Sequence, residues 1–373
     1  MQRAVLILGG YGNFGKRIAS ALVKADVSII VAGRDHVKAE AFVRSLPGSF
    51  AAAASFDARR ELDEQLEKLK PAVVINTCGP FQNSDYGVAQ SCIRYGVHYI
   101  DLADGRDFVV GINALDQSAK EAGVAVIAGA STVPCLSSAV MEHFKSEFIE
   151  IDSLKYGISP GQKAERGLAT TQGILSYVGR PLKRFTGRVR PAYGWQDVYR
   201  QVYPEIGKRW MANCDVPDLD LLPPRYGIKS IQFSAGLELG FMHLGLWGLS
   251  WLVRLGVPID LPRYARLLLK ISNAFDGLGA ATGGMHMILR GKSLEGKNHE
   301  RRWFIIARDG HGPHIPTIPA IVLAERLVRG ELDVRGAMPC VGLVSLDEYL
   351  EKLRAYKVAT HSEAYSEAIS QRH

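Results

Sequence analysis

The chain has 373 residues, 47% of them hydrophobic and 22% charged, with a mean hydropathy of +0.00, a balance that excludes disordered, fibrous and collagen-like chains. At about 150 residues per domain, the length allows two domains or one elaborated one, able to form a core without disulfide or metal staples. Lys and Arg number 45 against 38 Asp and Glu, giving +7 and a pI near 9.1, which raises the question of an anionic partner: nucleic acid, a membrane surface or a phosphorylated cofactor.

Up to about residue 130, short runs rich in Val, Ile or Ala (4–8, 27–32, 51–56, 73–77, 98–102 and 124–128) alternate with charged stretches of helical length (15–24, 36–46, 61–69, 86–95 and 112–122). Strands separated by crossover helices predict an α/β fold with a doubly wound parallel sheet. Continuous apolar strands such as AVLIL and AVVIN suit a sheet covered on both faces. Asp35 is placed to cap the stretch that begins at His36, and Gly96 and Gly123 sit where helices stop.

After Thr132-Val133-Pro134 the rhythm changes. A helix over 136–148 is followed by a strand at 153–158, a loop with Gly161 and Gly167, and strand-like pieces at 185–189, 198–203 and 230–235. Two apolar helices, 239–256 and 261–276, precede a hairpin pairing 285–290 with 303–308. This pattern predicts an α+β domain with an antiparallel or mixed sheet. Helices at 315–329, entered by Pro319, and at 346–356 complete the chain, and the polar tail after Thr360 is expected to fray. The expected division is 1–133 and 134–312, with the helices of about 313–360 returning to the first domain. There is no fixed-period repeat and no low-complexity linker.

Five scattered cysteines, without a Cys-x-x-Cys pair or His at ligand spacing, read as reduced and metal-free. The N-terminal apolar run is too short for a signal peptide and leads into a glycine loop, so a cytoplasmic location is expected. The window 239–253, LGFMHLGLWGLSWLV, carries no formal charge but holds three glycines, His243 and Ser250, and it falls short of the roughly 18 to 20 residues that span a bilayer. It reads as a buried helix, an interfacial helix or the wall of an apolar pocket.

The chemistry concentrates at strand ends. Strand 4–8 runs into Gly9-Gly10-Tyr11-Gly12-Asn13-Phe14-Gly15 and then a helix, placing Gly-x-Gly-x-x-Gly at a strand-to-helix turn. There Gly10 permits the tight turn, Gly12 lets a pyrophosphate approach the backbone, and Gly15 lets the helix pack on the strand. The helix N-terminus adds N–H donors and a positive dipole end. About 20 residues on, an NAD site would carry a carboxylate for the ribose 2′-hydroxyl. Here the second strand ends Val31-Ala32-Gly33-Arg34, a small residue and a guanidinium, which favours a 2′-phosphate and hence NADP(H). The alternative is that Arg34 is a solvated loop residue and Asp35 takes the ribose. Asp57, after the third strand, faces adenine or solvent.

At the reaction end, Cys78-Gly79-Pro80-Phe81 after the fourth strand forms a rigid turn that can border the nicotinamide ribose. Cys78 has no visible base beside it and reads as a packed small residue rather than a nucleophile. Asp104, after the fifth strand, and Tyr86, opening a helix, are the candidate catalytic residues. Asp104 is read as a proton donor, a ligand for a cationic substrate group or a plain turn residue.

The combination GGYGNFG, VAGRD, INTCGPFQNSDYGVAQSCIRYGVHYIDLADGRDFV and GASTVPCLSSAV resembles the saccharopine dehydrogenase-like oxidoreductases, bacterial members of uncharacterised function above all. The resemblance covers about residues 3–145 and thins to VPDLDLLPP and HIPTIPA beyond. It implies an N-terminal NADP-binding Rossmann domain, a central α+β domain for substrate and dimer contacts, and C-terminal helices returning to the first domain. It also implies that Gly10 to Gly15, Arg34 and Cys78 to Phe81 hold the cofactor. Relatives make or break a C–N bond on an amino acid or reduce a lipid C=C bond. Residues 160–310 carry no substrate-site pattern of saccharopine reductase.

The leading reading is an NADP(H)-dependent oxidoreductase acting on an imine, enoyl or carbonyl carbon of a small molecule. The apolar residues of 233–256 suit a lipid-like substrate, and Lys163, Arg166, Arg180, Lys183 and Arg184 suit an amino-acid adduct. Lining of the nicotinamide pocket by Trp247 and Trp251 would favour the first, and a Lys/Arg pair there the second. The alternative is a non-catalytic NADP(H) sensor or scaffold in contact with a partner or membrane. A homodimer and peripheral membrane contact are compatible with both. Nucleic acid is excluded as a partner, since the basic residues neither run together nor interleave with aromatics.

Overall fold

The structure is a computed structural model that describes residues 4–366. In chain order its elements are β1 (Val5–Leu8), α1 (Gly15–Lys24), β2 (Ile29–Gly33), α2 (His36–Ser45), β3 (Ala51–Ser55), α3 (Leu62–Leu69), β4 (Val73–Asn76), α4 (Gly87–Arg94), β5 (His98–Asp101), α5 (Arg106–Gly111), α6 (Asp116–Glu121), β6 (Ala125–Ala128) and α7 (Ser137–Phe144). There follow β7 (Phe148–Ser159), α8 (Leu168–Tyr177), β8 (Tyr199–Tyr203), β9 (Gly207–Asn213), α9 (Asp218–Tyr226), β10 (Ser230–Ala235), α10 (Gly240–Arg254), α11 (Ala265–Ala274), β11 (Gly283–Ser293) and β12 (Asn298–Ala307). The chain ends with α12 (Ile318–Arg329), β13 (Gly336–Pro339), α13 (Leu346–Leu353) and β14 (Val358–Ser366). Among the described residues two compact units result: 4–139 with 313–352, and 140–312 with 353–366.

The first unit is built on a seven-stranded parallel sheet in the order β13-β6-β5-β4-β1-β2-β3. Its central strands β1, β4 and β6 are buried at every position, which is why they read as unbroken apolar runs. Helix α1 lays Ile18, Ala19, Leu22 and Val23 on the sheet, and α12 packs against α1, β4 and β5. Strand order reverses at β1, whose neighbours are β2 and β4. Crossovers therefore leave in opposite directions from β1 and β4, opening a crevice at their carboxyl ends.

The second unit carries a seven-stranded sheet in the order β14-β12-β11-β7-β10-β9-β8. Only β7 and β10 pair in parallel, so the sheet is mixed. A hairpin of β11 and β12 forms its longest unbroken ladder, with Met285 opposite Ile305 and Met287 opposite Trp303. The fold is the α/β architecture with a second α+β sheet that the residue pattern predicts.

Local departures have physical causes. Residues 185–189 form a turn rather than a strand: Gly187 is left-handed at φ +78°, and a single bond from Ile231 N–H to the Thr186 carbonyl replaces a ladder. The stretch after Thr360 does not fray as far as it is described, because Val358 to Ser366 pair with Ala307 to His299 and cover the free edge of β12. The rest of that tail, 367–373, lies outside the described residues.

Candidate functional site

The glycine turn after β1 is held from both sides. Gly9 and Gly10 donate their N–H groups to the Ala32 carbonyl of β2 at 2.9 and 3.0 Å, and Gly12 N–H closes the turn on the Gly9 carbonyl at 2.8 Å. A methyl group on Gly15 would stand 2.2 Å from the Gly9 carbonyl oxygen, so only glycine lets α1 approach the loop this closely. One on Gly12 would touch the Gly9 oxygen at 3.0 Å and otherwise project into open space. Helix α1 has no side-chain cap, and the N–H groups of Phe14 and Gly15 have no partner among the described residues. Open backbone beside uncapped donors at a positive dipole end fits a pyrophosphate. Asn13 lies under the Arg17 guanidinium, which donates to both its backbone and side-chain oxygens.

On the adenosine side, Tyr11 lies over the end of β2. Its hydroxyl accepts from Asp35 N–H at 3.0 Å, and a Cβ on Gly33 would meet its ring at 2.4 Å. Gly33 is therefore small because Tyr11 covers it. Asp35 caps α2 through Lys38 N–H at 3.1 Å and pairs with the Lys38 ammonium at 3.1 Å; both interactions hold its carboxyl below the usual range. That carboxylate is committed to the helix rather than to a ribose. Asp57 is likewise engaged, accepting from Arg59 N–H at 3.0 Å in the turn before α3. Arg34 and Arg59 are both exposed, and neither guanidinium has an acidic partner among the described residues. Both act electrostatically on Cys78, opposed by Asp57, so one patch at the strand ends gathers two cations against one carboxylate. Arg59 escapes a reading based on spacing, since only folding brings the turn after β3 beside the end of β2.

The turn after β4 borders the glycine loop. Thr77 Oγ1 donates to the Leu8 carbonyl at 2.8 Å, and a Cβ on Gly9 would lie 3.1 Å from Cys78 Sγ. The Gly79–Pro80 peptide is cis. Cys78 is solvent-accessible at one side, yet enough protein surrounds its sulfur for desolvation to push the thiol up to about 11 against the pull of Arg34 and Arg59. It stays a thiol, not a nucleophilic thiolate. The Phe81 ring is buried against Phe108 at 5.3 Å, so only its backbone is placed to border a ligand.

Of the two candidate catalytic residues, Tyr86 is occupied. Its hydroxyl donates to the Phe108 carbonyl at 2.8 Å, and burial with nearby Asp101 and Asp107 holds the proton more firmly. Asp104 is half-buried; desolvation raises its carboxyl, partly offset by Gln82, whose amide donates to Oδ1 at 3.1 Å. This bond joins the turns after β4 and β5. A further carboxyl, Asp101 at the end of β5, is fully buried and pushed up to about 6 by desolvation. Its Oδ1 accepts from Ala103 N–H at 2.9 Å and Gly129 N–H at 2.8 Å. Sequence reading passed over it in favour of Asp104, since nothing in DLAD shows which acid is buried.

In the second unit, Trp247 and Trp251 meet edge to face at 6.4 Å on α10. Arg166 is committed to Asp276, with further bonds to Ser272 and Asn273, and Lys183 pairs with Asp220 at 3.3 Å. Among the described residues no cluster of His, Cys, Asp and Glu could hold a metal ion, and no helix is long and apolar enough to cross a membrane.

Residues 5–127 match the family described as the saccharopine dehydrogenase NADP binding domain. The whole fold is similar to that of apo saccharopine dehydrogenase (L-Glu forming) from Saccharomyces cerevisiae, with a TM-score of 0.69 and 14% identity over 97% of this chain and 100% of that one. An amine dehydrogenase from Mycobacterium smegmatis is similar with a TM-score of 0.48 and 13% identity over 91% of this chain and 94% of that one. No curated protein matches by sequence.

Proposed function

We propose that this chain, whose residues 5–127 match the saccharopine dehydrogenase NADP binding domain, uses NADP as cofactor and is an oxidoreductase acting on an imine, enoyl or carbonyl carbon of a small molecule. The observation that carries this reading is the crevice at β1 and β4, where a partnerless phosphate cradle, two exposed guanidinium groups and a carboxyl raised by burial share one sheet edge. When bound, the nicotinamide supplies hydride transfer.

The chain's own residues do the rest. Phe14 and Gly15 N–H groups bind the pyrophosphate, and Gly12 lets it approach. Arg34, with Arg59 beside it, takes the 2′-phosphate through charge-assisted hydrogen bonds. The turn from Cys78 to Pro80, fixed by Thr77 on the glycine loop, limits where the nicotinamide ribose can lie. Asp104, whose carboxyl is raised by burial and kept in place by Gln82, is the group placed to deliver a proton to the heteroatom or carbon that gains electron density.

Titrating NADPH and NADH against protein fluorescence tests the cofactor assignment, with NADPH expected to bind more tightly. Nicotinamide absorbance followed with an enoyl thioester, a long-chain aldehyde and a keto acid plus amino acid then tests the reaction. Tight NADPH binding with no turnover of any class would shift the reading to a cofactor sensor. Loss of turnover in Asp104→Asn with unchanged NADPH affinity would support its role as proton donor.

A further inference from the structure

Helix α10 is apolar on its outer side as well as its inner one. Its fully buried residues are the polar His243 and Ser250, while Phe241, Leu244, Trp251 and Leu252 are exposed, and Leu255, just beyond its end, is 75% exposed. Its inner contacts run through Leu246, Leu249 and Val253 to a core around Trp195 and Leu175. The outward apolar residues are thus not displaced core residues; the core is filled without them. Helix α11 repeats the pattern: Ala265 is buried and Leu268 packs inward, whereas Leu267 and Ile271, one turn apart, are about half exposed, with Tyr264 preceding them in the same row. Phe241 and Phe275 meet edge to face at 5.2 Å, joining the start of one helix to the end of the other. Single exposed apolar residues need no explanation, but two consecutive helices that each carry an outward apolar row beyond the residues that pack the core do.

Charge selects the occupant. Between Glu238 and Asp276 the only acid is Asp260, which pairs with Arg263, while Arg254, Arg263, Arg266 and Lys270 lie in or beside the two helices. At 3.6 residues per turn, Arg266 and Lys270 form a row flanking that of Leu267 and Ile271. An apolar strip edged by long cations is the composition of a helix that lies in a membrane interface, its stems in the acyl boundary and its charged ends at the headgroups. A second copy of the same face would bring these cation rows together, and neither helix is long enough to span.

We infer that α10 and α11 form a docking face for an anionic lipid surface, on which this chain sits peripherally. The open flanks of Gly245 and Gly248, where an added Cβ would have no neighbour within 4 Å, let the helix lie flat there.

The test uses the full chain and vesicles of phosphatidylcholine alone or mixed equally with phosphatidylglycerol. Sedimentation with the anionic vesicles should be roughly a hundredfold stronger, as expected for three cations near the surface, and Trp247 and Trp251 emission should shift to the blue. Leu267→Glu with Ile271→Glu should abolish both signals while NADPH binding persists, which also reports that the protein is folded. Arg266→Glu with Lys270→Glu should remove the preference for anionic lipid. Failure to sediment with either vesicle would overturn the inference. So would a wild-type dimer, seen by sedimentation velocity, that the Leu267→Glu and Ile271→Glu pair converts to monomer.

Discussion

Arg34 and Arg59 stand at the strand ends without an acidic hydrogen-bond partner among the described residues, and with only the Asp57 carboxylate acting beside them a bound anion gains from both guanidinium groups. Each charge-assisted bond to a 2′-phosphate contributes about 1.5 to 3 kcal/mol. Arg34→Ala and Arg59→Ala should therefore each weaken NADPH binding by roughly 10- to 100-fold and leave NADH binding nearly unchanged, measured by titration calorimetry. Equal losses for the two cofactors would reject the assignment. Asp101 makes a separate prediction. Its carboxyl rises from 3.8 to about 6 on folding, so its contribution to stability is complete below about pH 4 and is lost as the pH rises through 6. The loss amounts to about 3 kcal/mol, at 1.36 kcal/mol per unit. Asp101→Asn keeps an oxygen for the Ala103 and Gly129 N–H groups and should flatten the dependence of the denaturant midpoint on pH between 4 and 7. An unchanged slope would show that this carboxyl does not set it. Arg34 was legible in the sequence because its place at a strand end follows from local spacing. Arg59 and the burial of Asp101 were not, because both depend on what the fold brings alongside.

At the scale of elements, the glycine loop separates two uses of one residue type. A methyl on Gly15 collides with fixed backbone at 2.2 Å, so α1 must shift on β1; Gly15→Ala should cost about 1 to 3 kcal/mol of stability as well as NADPH affinity. Gly12→Ala points into open space, with only the 3.0 Å approach to Gly9, and should unfold at nearly the wild-type temperature yet bind NADPH poorly. Thermal melts beside cofactor titrations distinguish the two, and a stable Gly15→Ala protein would contradict the packing argument. The same contrast explains which elements could be read in advance. The strands β1, β4 and β6 announce themselves because burial on both faces forces continuous apolar runs. By contrast, β14 is mostly exposed and its sequence, VATHSEAYS, lacks a sustained apolar alternation; it is a strand because β12 has an edge to pair. Similarly, α9 runs through Pro223-Pro224, residues that commonly break a helix, before Gly227 closes it in the left-handed region.

Over the whole molecule, the two units carry buried titratable groups of opposite sense. Asp101 lies in the first unit and favours it as the pH falls. In the second, burial pushes His243 down to about 4, with its Nδ1 accepting from Leu237 N–H at 3.3 Å, and pushes His286 down to about 3, with Nδ1 against the Tyr203 hydroxyl at 2.8 Å. A depressed folded value means that the neutral histidine stabilises the fold fully above its unfolded value of 6.5, and that this contribution is lost as the pH falls toward 4 and 3. Going from pH 7 to 5 should therefore add about 1 kcal/mol to the first unit through Asp101 and remove about 2 kcal/mol per histidine from the second. Scanning calorimetry at the two pH values should show the unfolding transitions of the units moving apart, the second to lower temperature. His243→Asn, whose side-chain oxygen can still accept from Leu237, should reduce the acid sensitivity of that transition by about half while leaving the other in place. If both transitions instead fall together on acidification, the opposed groups do not govern the pH response, and exposed ion pairs shared across the surface must.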